Sequence, residues 1–168
     1  MKYLFILRHA KAAYMEPNFD DFDRPLATVG TQTISILLDK TKDLTDIPEI
    51  VLCSAARRTR ETLEGLRGRL PSFCTVTFDE DLYLASRPQL VAKIHQVDDQ
   101  YSRLMLVGHN PGLEQLISWL LGDETDSSVI KSLPTCGFVK IALDVASWAL
   151  VDQGMGRLKD YIVPEEPQ

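Results

Sequence analysis

The chain has 168 residues, 45% of them hydrophobic and 25% charged, with a net charge of −6 at neutral pH. That is the composition of one soluble domain with room for a sizeable core, and it excludes a disordered chain. The acidity argues against nucleic acid or an anionic membrane surface as partner, and no stretch approaches the ~20 apolar residues of a membrane span.

Residues 2–7 form a continuous apolar run, the pattern of a strand buried on both faces. The run is too short for a secretory leader, since it meets Arg8 and His9 at once. Residues 11–27 read as a loop with Pro17, Pro25 and three aspartates, Asp20, Asp21 and Asp23. A loop of that length is either a functional segment, such as a lid, or a surface loop pinned by Phe19 and Phe22. Thr28 is the expected N-cap of a helix to about Lys42, with Ile34, Leu37 and Leu38 as its buried stripe. Pro48 precedes a strand at 49–53, and a helix follows at 57–70 with Leu63, Leu66 and Leu70 inward, ended by Pro71.

Residues 74–78 alternate like a short strand, 80–87 form a loop, and Pro88 suits the first turn of a helix to about Val97. Strand 103–107 carries His109 at its exit, Pro111 opens a helix through Leu121, and Gly122 ends it. Residues 123–128 read as a polar, acidic loop. Segments 137–143 and 157–162 read as late strands, with 146–152 open between strand and helical turn. The domain spans 1–163, and 164–168 is expected to be a flexible tail. Alternating strands and helices predict an α/β fold, a single-domain three-layer sandwich with a mainly parallel sheet flanked by helices.

Cys53, Cys74 and Cys136 are odd in number and lack metal-type spacing, so they are expected to be reduced thiols in a cytoplasmic protein. Cys53 stands beside Ser54 at a strand end, but no histidine motif is local to it, and packing is its expected role. His95 likewise reads as a helix-surface histidine.

Three strand exits carry the chemistry. Leu7-Arg8-His9 follows the first strand, Ser54-x-x-x-Arg58-x-x-x-Thr62 enters a helix after the second, and Gly108-His109-Asn110-Pro111-Gly112 follows the strand at 103–107. Ligands of open α/β sheets bind at the carboxyl ends of parallel strands. A helix N-terminus favours phosphate, and a guanidinium grips phosphate oxygens with two parallel hydrogen bonds. Phosphoryl transfer is largely positioning and charge stabilisation. Two arginines and a histidine supply these without a metal, while a second, neutral imidazole attacks phosphorus and carries the phosphoryl group. That imidazole should donate its other ring nitrogen to a backbone carbonyl, which fixes the tautomer.

In these three elements, in this order, the chain resembles the histidine phosphatase superfamily, the phosphoglycerate mutase-like proteins. Asp23-Arg24-Pro25-Leu26 with Thr28 and Gly30, Leu82-Tyr83-Leu84-Ala85, and Leu133-Pro134-Thr135 with Gly137 are similar to its small SixA-type phosphohistidine phosphatases. The resemblance implies His9 as the phosphorylated nucleophile, Arg8 and Arg58 as grips on the phosphoryl oxygens, and His109 as an imidazolium stabilising the transferred group. The backbone N–H of Asn110 would join the pocket. Counting from Ser54 selects Arg58 over its neighbours, leaving Arg57 for the pocket rim and Arg60 pointing elsewhere. Thr59 and Glu61 replace the Ala and Gln common in the superfamily, a change expected to tune the site.

Many superfamily members carry a carboxylic acid that protonates a leaving alkoxide. Here its position falls near Leu84, where no carboxylate stands; Glu80 and Asp81 are candidates, and a small-molecule esterase would need its acid from Glu80, Asp81 or the 11–27 loop. An alkoxide needs that proton, whereas a phosphohistidine leaves as imidazole and needs it less. The expected activity is therefore metal-independent hydrolysis of phosphohistidine on proteins through phospho-His9, with no cofactor. The resemblance implies a histidine phosphotransfer domain or similar protein as partner, met by a monomer or weak oligomer. The rival readings are a small-molecule phosphomonoesterase of the same fold and a non-catalytic phosphate-binding module.

Overall fold

Along β1 (Lys2–Arg8) alternate side chains serve different cores. Leu4 and Ile6 point to one face of the sheet, Phe5 and Leu7 to the other, and all four are buried. The pattern recurs in β4 (Arg103–Gly108): Leu104 and Leu106 join the first core, Met105 and Val107 the second. Apolar residues at both phases of a two-residue period are what a strand covered on both faces requires. The computed structural model describes residues 1–122, 130 and 132–168. The acidic loop expected at 123–128 lies outside the described residues.

With β2 (Ile50–Ser54), β3 (Thr75–Asp79), β5 (Phe138–Leu143) and β6 (Gly156–Ile162), the described strands form one sheet in the order β3-β2-β4-β1-β5-β6. The first four strands in sequence pair in parallel, β5 runs antiparallel to β1, and β6 antiparallel to β5. Ile34 and Leu37 of α1 (Thr28–Lys40) and Leu63 and Leu66 of α2 (Arg57–Leu66) close one core. Leu90 and Ile94 of α3 (Arg87–His95) and Leu113 and Leu116 of α4 (Gly112–Leu121) close the other. Each such fully buried aliphatic side chain contributes about 1.5–3 kcal/mol. The result is the predicted three-layer α/β sandwich.

Local chemistry explains most boundaries. Ser86 and Gln89 form a reciprocal capping box at the start of α3, with Pro88 in its first turn. Gly122, at φ +69°, ends α4 in a conformation that favours glycine. Thr28 is the first helical residue of α1 and not its cap; Ala27 occupies that place without a side-chain bond. Past Leu66 the chain tightens into a 3-10 turn at Arg67–Arg69, so the second helix is shorter than predicted. The undecided stretch at 146–152 holds a 3-10 turn, Trp148–Leu150, with Trp148 buried. In the segment at 164–168 Pro164 is buried, and Glu166 meets Lys11 at 3.2 Å and Thr135 at 3.5 Å.

Two glycines allow backbone approaches that position the site. A Cβ at Gly30 would stand 2.3 Å from the Lys11 carbonyl oxygen, and one at Gly112 only 2.0 Å from that of Ala85. Gly30 thus lets α1 pack against the chain leaving His9. Gly112 lets the start of α4 pack against the segment that carries Tyr83.

Candidate active site

His9 leaves β1 as a buried residue whose backbone is held on both sides: its N–H donates to the Gly108 carbonyl at 3.2 Å and its carbonyl accepts from Cys136 at 2.9 Å. Its Nδ1 lies 2.7 Å from the Ala10 carbonyl oxygen, which only accepts, so Nδ1 carries the proton and Nε2 the lone pair. Burial pushes His9 down to about 4, reinforced by Arg58, Arg8 and Arg24 and opposed by the Ala10 carbonyl. The ring is a neutral imidazole at physiological pH, as a nucleophile must be.

The Ser54, Arg58 and Thr62 positions each perform a separate task. Ser54 Oγ, at the end of β2, lies 2.7 Å from His109 Nε2. Thr62 Oγ1 accepts the Ala10 N–H at 3.0 Å and donates to the Arg58 carbonyl at 2.7 Å, tying the chain beyond His9 to α2. Arg58, only 2% exposed, donates from Nη1 to the Asp21 carbonyl at 2.8 Å and from Nη2 to Asp21 Oδ2 at 3.1 Å. Arg58 and Thr62, four residues apart, share one side of α2, and Ser54 stands at the end of β2 before it.

His109 is buried just past β4, its ring centroid 5.4 Å from that of His9. Burial first, then the neighbouring His9 and Arg58, pushes it down to about 3. The resting site therefore holds a neutral imidazole where the sequence resemblance implied an imidazolium. Its Nε2 is held by the Ser54 hydroxyl. Ser54 Oγ accepts from the Ala56 N–H at 3.3 Å, so its own proton is available to His109 Nε2. When Ser54 donates to Nε2, the single ring proton sits on Nδ1. His109 Nδ1, Arg8 Nε and Arg58 Nε are buried without a partner among the described residues. Buried donors are normally satisfied, so three left open in one place mark where an anionic ligand belongs.

Arg8 is steadied by the Leu133 carbonyl, which accepts from Nη1 at 3.0 Å. The Asn110 side chain is a brace: Nδ2 donates to Glu114 Oε1 and to the Leu133 carbonyl, each at 2.8 Å. It braces the segment that Arg8 also holds. Arg57 pairs with Glu61 at 3.1 Å on the rim, and Arg60 turns away over the Phe78 ring at 5.8 Å. Cys53 is fully buried with its thiol pushed up to about 12 by burial, which makes it an inert packing residue.

The candidate acids are not brought to the site. Glu80 is exposed, and Asp81, 79% exposed, pairs with Lys93 at 3.2 Å. The 3-10 turn Glu80–Leu82 explains this, since it buries Leu82 and sends the two carboxylates to solvent. The carboxylate that does reach the site is Asp21, from the long loop. It accepts from Arg58 and from the Tyr83 hydroxyl, and pairs with Arg24 at 3.4 Å. Tyr83 stands edge-on to His109 with centroids 5.4 Å apart. Sequence reasoning offered the 11–27 loop as a source of an acid but singled out neither Asp21 nor Tyr83. The aspartate cluster and the Leu82-Tyr83-Leu84-Ala85 motif were visible signals, but nothing in their spacing joins them across 62 residues. Among the described residues no three His, Cys, Asp or Glu side chains gather as a metal site, and no helix is long and apolar enough to cross a membrane.

No protein-family model matches the chain. An uncharacterised protein of Mycobacterium tuberculosis is 31% identical over 163 residues, covering 94% of this chain and 99% of its own. The assigned phosphohistidine phosphatase SixA of Agrobacterium tumefaciens is 27% identical, with a TM-score of 0.82 over 97% of this chain and 98% of that one. A protein histidine phosphatase SixA complexed with tungstate shares the fold at 23% identity and a TM-score of 0.73, covering 96% and 97%. More distant structures with the same fold include a mycobacterial glucosyl-3-phosphoglycerate phosphatase. Likeness from end to end to solved structures of this kind places the chain in the histidine phosphatase superfamily, the phosphoglycerate mutase-like proteins, with SixA phosphohistidine phosphatases among its structural neighbours.

Proposed function

We propose that this phosphatase hydrolyses phosphohistidine on proteins through a phospho-His9 intermediate, without a metal. The observation that carries the reading is the His9 ring itself: Nδ1 is locked to Ala10, and Nε2 keeps its lone pair in a pocket ringed by unpaired donors. Nε2 attacks phosphorus in line while Arg8, Arg58 and the Nδ1–H of His109 hold the equatorial oxygens. The P–N bond of the substrate breaks, and its electron pair returns to the departing ring, which leaves as neutral imidazole when its second nitrogen is protonated. Water then attacks phosphorus, the P–Nε2 bond breaks, and the pair returns to His9. Both protons of that water leave on the phosphate, as dihydrogen phosphate.

The choice of a P–N substrate rests on the carboxylates. Glu80 and Asp81 are turned to solvent, and Asp21 is held ionised by the Tyr83 hydroxyl, Arg58 and Arg24. A site without a proton to give handles a leaving imidazole better than an alkoxide. A protein as substrate is supported by the rim. Tyr14 (95% exposed), Met15 and Phe19 sit on the loop that carries Asp21, and Leu84, 54% exposed at φ +50°, follows Tyr83. Large apolar side chains held in water beside a phosphoryl pocket suit contact with a protein surface, such as that of a histidine phosphotransfer domain.

The test is phosphate release from a phosphohistidine-bearing protein in the presence of EDTA, comparing wild type with His9→Ala. Release that disappears in the variant is the expected result. Faster hydrolysis of alkyl phosphate esters than of phosphohistidine would overturn the P–N assignment.

A further inference from the structure

A buried guanidinium that must grip a ligand has to be held by something else. Arg58 has five N–H groups in a rigid plane, with two usable edges. The end-on edge, formed by Nη1 and Nη2, is taken by one residue: Asp21 accepts from Nη1 through its backbone carbonyl and from Nη2 through its carboxylate. The side-on edge, Nε with the second N–H of Nη2, keeps an unpartnered Nε among the described residues. The Tyr83 hydroxyl donates to the same Asp21 oxygen, Arg24 approaches the other at 3.4 Å, and the Arg58 guanidinium lies 5.7 Å from the Tyr83 ring centre. One carboxylate from the long loop thus joins the start of α2 to the segment after β3.

We infer that Asp21 is a positioning residue, clamping the end-on edge of Arg58 with help from Tyr83 so that the side-on edge faces the phosphoryl group. The inference rests on the reading of Arg58 as a phosphoryl grip. Two other roles for this carboxylate fit the contacts less well. As a general acid it would need a proton, yet it accepts from a hydroxyl and two guanidinium groups, which hold it below the usual carboxylate range, the Tyr83 bond most of all. As a stand-in for phosphate it would have to be expelled by substrate, yet it occupies the edge that the phosphoryl group does not need. The bidentate hold also explains why the clamp comes from a loop: a residue offering its own carbonyl and its own carboxylate to one guanidinium must lie across the fork, which the 3-10 turn Asp21–Asp23 achieves.

The experiment measures kcat and KM on a phosphohistidine peptide, and the affinity for inorganic phosphate by calorimetry, in a double-mutant cycle. Asp21→Asn keeps the shape and removes the charge. It is expected to lower kcat/KM and phosphate affinity together by roughly 10- to 100-fold, the value of a charge-assisted bond. Arg58→Ala is expected to lose more, and adding Asp21→Asn to it should change neither quantity by more than about twofold, because the clamp then has nothing to hold. Tyr83→Phe should move both quantities the same way by less. The inference fails if Asp21→Asn is silent in the wild-type background. It fails equally if its full effect persists beside Arg58→Ala, above all with alkyl phosphate rates falling more than phosphohistidine rates, the mark of an acid. Unchanged turnover and phosphate affinity in Arg58→Ala itself would instead remove the reading of Arg58, and the clamp with it. Thermal melts of each variant separate these outcomes from misfolding.

Discussion

Ser54 Oγ stands 2.7 Å from His109 Nε2 and receives the Ala56 N–H on its other side. By donating to Nε2 this hydroxyl favours the tautomer with its proton on Nδ1, which lets a neutral His109 donate to an anion. Ser54→Ala removes that control while altering little volume. The expected loss in kcat/KM is about 10- to 100-fold, equivalent to about 1.4–2.8 kcal/mol. Steady-state kinetics checks it, with an unchanged circular dichroism spectrum as the control.

The paired histidines predict how activity responds to acid. His9 is held at about 4, and its neutral form is the nucleophile. The acid limb of kcat/KM should therefore fall well below the 6.5 of an ordinary histidine, and the enzyme should keep most of its efficiency at pH 5.5. A pH–rate profile with its limb near 6.5 would show that His9 is not the desolvated base described above.

The same shifts couple pH to stability. Both rings bind protons more readily in the unfolded chain, at about 6.5, than in the folded one, at about 4 and about 3. As pH falls below 6.5 the unfolded state takes up protons that the folded state refuses, so stability is lost, by up to about 1.4 kcal/mol per pH unit for each ring. Urea denaturation between pH 7 and pH 5 should show a declining midpoint, and the decline should be shallower in His9→Asn.

Thr62 is fully buried and serves as acceptor for the Ala10 N–H. Thr62→Val keeps the shape and leaves that N–H unpaired, at a cost of about 1–3 kcal/mol. Because the Ala10 carbonyl fixes the His9 tautomer, kcat should fall together with the melting temperature, and Thr62→Ser should restore both.

Gly112→Ala would drive a methyl group to 2.0 Å from the Ala85 carbonyl oxygen. Both partners are backbone, so neither rotates away, and the start of α4 has to separate from the segment after Tyr83. The expected destabilisation is about 3 kcal/mol or more, visible in a denaturant titration.

How far the sequence alone reaches depends on what sets each feature. His9, Arg58 and His109 could be found because strand exits and helix starts leave periodic marks, and the register of a parallel sheet brings successive exits to one edge. Both faces of β1 and β4 were legible for the same reason. Asp21 and Tyr83 were not, since a bond between two loops depends on how each loop folds back, and no period records that. Glu80 and Asp81 show the converse: adjacency to a strand end located them correctly along the chain, and the 3-10 turn then pointed them outward. The neutral charge of His109 was illegible because it arises from burial among arginines that only the fold assembles.

The reversal of β5 gives the molecule two unlike ends. Phe138, at the entrance of β5, pairs with Leu7 at the exit of β1, while Leu143 at its far end pairs with Lys2. The strand that breaks the parallel run thus delivers its entry segment, with Leu133 and Cys136, to the reactive edge. Among the described residues the opposite edge carries connections: the turn leading into β2, the approach to β4 and the chain beyond Leu143. Fluorophores, surface tethers or circularly permuted termini belong there, where the backbone can be cut or loaded without disturbing phosphoryl chemistry at the far pole.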